Sequence, residues 1–329
     1  MNIQRWMARR EASWRQLEAL LQRAEKKGLN SLSGAEVRQM ASLYRSVSAD
    51  LARAKSNGAG PAVIQDLQQI TSRSYRQIYQ GSRRQEWQAV LDFYRYGFPE
   101  TVQQTWGYIA IATALFGLGA LLGWWFAWQD AAFLTLVLGQ GFVESVKTSQ
   151  ELWTVSILGM EPVASSQIMI NNIGVSLWAM IGGIAMFMPS IPLLTPPGAF
   201  TIYLLVLNGI MIGCVGVLVA QANLAWDLWA FVFPHGALEL PAIFIAGGAG
   251  LLLARSILLP GSYRRVDALR IQGLQAVRLL YGVLTLLVMA GLIEGFFSPQ
   301  TWIPNGLKYA VGIALLIGLV QYCRRQRPA

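Results

Sequence analysis

The pattern of apolar positions changes character along this chain. Up to about residue 80, apolar residues recur every three or four positions among charged ones. Beyond about residue 105 they run together in long blocks. The first pattern is that of amphipathic helices. Trp6, Trp14, Leu17, Leu20 and Leu21 share helical spacing, with Arg9, Arg10, Arg15 and Glu18 between them. Gly28 to Asn30 ends that helix. Ser33 and Glu36 have capping-box spacing, so a second helix starts there and runs to about Asn57-Gly58. Pro61 suits the first turn of a third, which carries Val63, Ile64, Leu67, Ile70, Tyr75 and Ile78. Residues 1–82 are thus expected to form a small cytoplasmic antiparallel bundle.

Residues 83–105 read differently. Trp87, Val90, Leu91, Phe93, Tyr94, Tyr96 and Phe98 make a broad aromatic surface beside Arg83, Arg84 and Arg95. This predicts an interfacial amphipathic helix on the inner leaflet, with Pro99 turning the chain into the membrane. The alternative is a fourth helix packed on the bundle.

Residues 106–329 read as a transmembrane bundle. A span needs ~20 predominantly apolar residues. Six stretches qualify, at about 106–128, 166–188, 199–221, 235–253, 276–297 and 305–322. Near 129–165, the segment AAFLTLVLGQGFV is too short to cross and too apolar for a plain loop, so it predicts an extracytoplasmic re-entrant or interfacial helix. A Pro-rich turn, PSIPLLTPPG, follows the second span, and an aromatic stretch, LAWDLWAFVF, precedes the fourth. The expected fold class is all-α: a polytopic membrane helical bundle of about six transmembrane helices with an N-terminal cytoplasmic helical domain.

Composition sharpens this. Of 329 residues, 54% are hydrophobic and only 13% charged, where a soluble protein has about a quarter charged. From Pro162 to Trp226 no residue is charged. The net charge of +9 is concentrated early: residues 1–105 hold 16 Lys and Arg against 9 Asp and Glu. With six spans, this basic region, the Arg255 to Arg270 loop and the Arg324, Arg325, Arg327 tail share one side, expected to be cytoplasmic. Both termini then face the cytoplasm of a bacterial inner membrane. Lys308, which opens the last span from the other side, is a mild exception. The basic excess reads as a topology signal and an attraction to anionic membrane lipids. No nucleic-acid motif accompanies it. Cys214 and Cys323 are not expected to pair. The first thirty residues lack the apolar core of a cleavable signal peptide.

Polar groups at membrane depth are costly unless partnered, so they are where function is sought. Here they are Asn171, Asn172, Asn208, His235, Glu239 and Glu294. The predicted spans put all but Asn208 toward the extracytoplasmic side, and Asn208 near mid-bilayer. His235 and Glu239 are four residues apart, hence on one helix face. Pro234 and Gly236 flank His235, which suggests that a helix begins there. The pair can be a structural hydrogen-bonded couple, a contact for a partner or substrate, or a catalytic or metal-binding pair. Zinc usually takes three or four protein ligands, so two residues alone do not make a metal site, and no metal or cofactor is expected.

Gly182, Gly183, Gly209, Gly213, Gly216, Gly247, Gly248 and Gly250 lie within spans and read as helix contacts. No Ser-His-Asp set, HExxH, phosphate loop or Cys cluster is present, so no enzymatic activity is expected.

Three stretches resemble the stage II sporulation protein M family of bacterial membrane proteins. They are LYRSVSADLARAK (Leu43 to Lys55), NNIGVSLWAMIGGI (Asn171 to Ile184) with NGIMIGC (Asn208 to Cys214), and PHGALELPAIFIAGGAGLLLA (Pro234 to Ala254). The resemblance implies a scaffold. The founding member is similar to a membrane anchor for cell-wall hydrolases and is not itself regarded as a hydrolase. The long cytoplasmic domain departs from that member, so neither sporulation nor those particular partners are carried over. The leading expectation is an inner-membrane scaffold or assembly factor that organises envelope or other membrane-protein partners; homo-oligomerisation is also open. The alternative is a transporter or lipid-handling protein using the polar cluster, and the third reading is an intramembrane metal-dependent enzyme.

Overall fold

The computed structural model describes residues 3–80, 83–154, 161–184, 187–188 and 191–327. The chain falls into two compact units, Met1–Phe93 and Tyr94–Ala329. The boundary lies inside the stretch that the sequence assigns to an interfacial elbow.

The first unit is helical. It comprises α1 (Ile3–Lys27), α2 (Gly34–Ser56), α3 (Pro61–Tyr75) and α4 (Arg83–Asp92). Gly28 adopts a φ of 81° after α1, a left-handed backbone suited to glycine. Ser33 and Glu36 make the reciprocal capping box at the start of α2, and Pro61 opens α3. The Ser33 backbone N–H, with the Arg23 guanidinium behind it, holds the Glu36 carboxyl below its ordinary pKa. Leu17, Leu21, Met40, Val47 and Leu67 form the core. One polar group is buried with them: Asp50, only 1% exposed, accepts from Arg10 Nε at 2.8 Å and Trp14 Nε1 at 2.9 Å. With the Arg10 contact to Ser46, three side-chain contacts thus lock α1 to α2. On α4, Trp87 is 68% exposed and Leu91 66%.

The second unit begins with α5 (Phe98–Gln104) and α6 (Trp106–Gln129). It continues through α7 (Ala131–Leu138), α8 (Gln140–Ser149), α9 (Glu161–Ile181), α10 (Ala199–Gln221), α11 (Ala225–Leu258), α12 (Arg265–Phe296) and α13 (Asn305–Cys323). Five of these, α6, α10, α11, α12 and α13, are long and apolar enough to cross a membrane. Helix α9 is less apolar because Gln167, Asn171 and Asn172 interrupt it. Its 21 residues nonetheless correspond to about 32 Å at the α-helical rise, enough for the hydrocarbon core.

Side-chain contacts fix the direction of each helix. Gly119 meets Val206 and Gly123 meets Ile210, so α6 and α10 run parallel. Ser165, at the start of α9, donates to the carbonyl of Gly291 late in α12 at 2.7 Å. At the other end of α9, Thr201 donates to the Ala179 carbonyl at 2.7 Å and Gly183 touches Gly250. Helix α9 therefore runs from beside the last turns of α12 to beside the C-terminal part of α11. Successive long helices alternate in direction, as a multi-pass bundle requires.

Three boundaries differ from the sequence reading. The second crossing is shifted toward the N-terminus. It starts at Glu161-Pro162, where proline is tolerated in a first turn, and ends before Gly182-Gly183. The fourth does not begin at His235: α11 is a single 34-residue helix from Ala225, with Pro234 and Pro241 inside it. The aromatic stretch before His235 is helical, and neighbouring helices compensate a proline's missing N–H in such bundles. The basic segment Arg265 to Arg270 is the first turns of α12 and not a loop.

The apolar segment after α6 forms two short helices, broken at Gly139, whose φ is 86°. They pack Leu134, Val143 and Val146 against Cys214, Val217 and Leu218 at the far end of α10. At the basic end, α5 packs on α12 and α13. Phe98 covers Gly282 and stacks on Tyr322 with ring centroids 6.1 Å apart. Gln103 caps the Cys323 carbonyl at 2.7 Å. A short antiparallel pair, β1 (Phe187–Met188) and β2 (Ile191–Leu194), lies between α9 and α10.

Candidate functional site

Two helix ends and a tight turn assemble the site. His235 and Glu239 project from one face of α11, separated by one turn. Glu294 sits in the last turn of α12. The chain then turns at Ser298 and re-enters the bundle as α13, with Lys308 in its first turn. This turn brings four helix-borne polar groups from three helices to one end of the bundle, opposite the arginine-rich end.

His235 is 5% exposed and Glu294 8%. His235 Nε2 stands 3.8 Å from Glu294 Oε1, and His235 Nδ1 lies 3.1 Å from Ser298 Oγ. One ligand atom from each of His235, Glu239 and Glu294 falls within 4.8 Å of the others. Phe231, one turn before His235, meets the imidazole edge-on at 5.4 Å between centroids. Lys308, 6% exposed, donates to the Ser298 carbonyl at 2.7 Å. Glu294 Oε2 is shut off from solvent and has no hydrogen-bond partner among the described residues.

Of the six polar residues singled out from the sequence, the structure brings three together: His235, Glu239 and Glu294. Asn171 and Asn172 fall at the middle of α9, where Asn171 donates to Asn172 at 3.2 Å. Their depth differs from the sequence reading because α9 starts at Glu161. Asn208 donates to the Leu204 carbonyl of its own helix at 2.8 Å. Sequence reasoning missed Ser298, and it noted Lys308 only for its place in the topology. The one available signal was the pairing of a basic residue just after a turn with a carboxylate just before it.

The glycines build the surroundings. Gly209 and Gly213 pack directly on the backbone of Phe116 and Ala120 in α6, and Gly119 and Gly123 pack back on α10. Gly182 approaches the backbone nitrogen of Thr201, with an added Cβ only 2.8 Å away, and Gly183 packs on Gly250. Gly247 meets Leu205, and Gly248 meets the backbone of Ile109. Gly119 and Gly123, spaced four apart like their partners, were not read from the sequence.

Comparison with known proteins fits this architecture. The chain matches a family described as Stage II sporulation protein M over residues 112–299 and a domain of unknown function over residues 4–80. No curated protein and no solved structure matches it. The first match covers more than half of the chain, every crossing helix but the last, and all three clustered residues. This multi-pass membrane protein belongs to the stage II sporulation protein M family.

Proposed function

We propose that this protein is a non-enzymatic scaffold or assembly factor of a bacterial inner membrane, with both termini in the cytoplasm, and that it organises envelope partners. The observation that carries the reading is how closely the helices pack. Backbone-to-backbone glycine contacts seal α6 against α10 and α9 against α11. Asn208, near the middle of α10, spends its amide on its own helix. A transporter would be expected to direct that group into an aqueous path.

The outer surface, in contrast, offers contacts. Trp124, Trp125 and Trp128 of α6 and Ile313 and Ile317 of α13 face outward. A groove of about 360 Å³ separates α12 from α13, floored by Leu238 and walled by Thr285, Met289, Ala314 and Gly318. Its small and apolar walls suit the side chains of another transmembrane helix. The helical first unit supplies a separate surface for a cytoplasmic partner.

Photocrosslinking residues placed at Thr285, Met289 and Gly318 test this in living membranes, with buried Leu205 as control. Discrete protein adducts from the groove positions, absent from Leu205, are expected. Adducts to lipid alone at every groove position would contradict the scaffold reading.

A further inference from the structure

We propose that His235, Glu239 and Glu294 form a binding site for a first-row divalent transition-metal ion, such as Zn²⁺ or Mn²⁺, with Ser298 orienting the histidine. The proposal does not depend on the scaffold reading.

The first support is distance. His235 Nε2 and Glu294 Oε1 are 3.8 Å apart, too far for a hydrogen bond. Two ligands of one metal, each about 2.1 Å from the ion, stand about 3.4 Å apart at the tetrahedral angle. All three ligand atoms already lie within 4.8 Å of one another, so small side-chain rotations bring them into one coordination shell.

The second support is the unmet need at Glu294. Its Oε2 is buried without a partner among the described residues. It also sits in the last turn of α12, where the helix dipole favours a cation and disfavours a carboxylate. A divalent ion answers both. Two carboxylates and a neutral imidazole around it sum to no net charge, which suits a site enclosed among apolar helices.

The third is the histidine's second nitrogen. Metal-bound histidines commonly donate their other N–H to an oxygen acceptor. Here Nδ1 lies 3.1 Å from Ser298 Oγ. A proton on Nδ1 leaves the Nε2 lone pair directed at the Glu294 side. Lys308, held on the Ser298 carbonyl, braces the turn that carries this hydroxyl. The donor set selects the metal class. One imidazole with two carboxylates suits zinc, manganese or ferrous iron. Magnesium and calcium prefer oxygen-only shells with more ligands.

The experiment uses the full-length protein in detergent, stripped with chelator, reloaded with Zn²⁺ or Mn²⁺ and freed of excess. Elemental analysis should find about one ion per chain. His235→Ala and Glu294→Gln should lose it, and Ser298→Ala should bind 10–100-fold more weakly. Glu144→Gln, at an exposed carboxylate of α8, should bind as the parent does. X-ray absorption of the zinc-loaded parent should show only nitrogen and oxygen neighbours, a readout that needs no variant to fold. A parent that retains no metal would overturn the proposal. Full retention in both ligand variants, or sulfur in the zinc shell, would place the ion elsewhere and overturn it equally.

Discussion

Gly209→Ala and Gly213→Ala are each expected to cost about 3 kcal/mol or more and to leave little folded protein, whereas Gly216→Ala on the same helix should be close to neutral. At Gly209 an added Cβ would overlap the Phe116 carbonyl oxygen, and at Gly213 the Ala120 carbonyl oxygen. Both obstacles are backbone, so no side chain can swing aside and the two helices must separate. Separation would also loosen Gly119 and Gly123, which pack on Val206 and Ile210 from the other side. Alanine favours helix over glycine by about 1 kcal/mol, too little to compensate. At Gly216 the nearest obstacle is a Trp229 side-chain atom 3.7 Å away, an ordinary contact. Melting followed by tryptophan fluorescence in detergent would separate the positions. Equal stability at all three would show that α6 and α10 do not pack through these glycines.

The polar cluster should behave as a coupled unit. His235→Ala is expected to lower stability by about 1–3 kcal/mol, since it strands the buried Ser298 hydroxyl, and Glu294→Ala to lower it by less, since it breaks no hydrogen bond among the described residues. The double variant should lose less than the sum, with a coupling of about 0.5–3 kcal/mol. Glu239→Ala should fall at the lower end, because Glu239 is half-buried where the other two are buried. The same cycle measured after chelation distinguishes the causes. A coupling that persists reflects direct packing and hydrogen bonding around Ser298. A coupling that collapses reflects a shared ion. Strictly additive single effects in both conditions would mean that the cluster has no joint role.

The sequence carried the local features well and the convergent ones poorly. The capping box at Ser33, the proline start of α3 and the long apolar blocks each act within one turn or one helix, so spacing alone reveals them. Glu294 reaches His235 through the packing of α12 on α11, and Ser298, with Lys308 on its carbonyl, joins them because the turn after α12 folds back. That is a tertiary fact, and no periodicity within a single helix encodes it. The start of α11 was misplaced for the opposite reason. Pro234 is a strong local signal for a helix start, but packing on both flanks keeps the helix continuous from Ala225. Asn171 and Asn172 were assigned too near the membrane surface because Glu161 looked like loop, although it opens α9. In the first unit, no spacing within LYRSVSADLARAK marks Asp50 as buried, yet Arg10 and Trp14 enclose it.

The proposed function rests on a six-pass topology with both termini in the cytoplasm, in which the His235, Glu239 and Glu294 cluster would lie on the extracytoplasmic side. Cysteine mapping in intact cells tests it most directly. With Cys214 and Cys323 replaced, single cysteines at Gly58, Thr148, Gly261 and Pro299 are treated with a membrane-impermeant maleimide. The alternating helices and the arginine distribution predict labelling of Thr148→Cys and Pro299→Cys in intact cells. Gly58→Cys and Gly261→Cys should be protected until the membrane is opened. Labelling of Gly58→Cys or Gly261→Cys in intact cells would contradict the account.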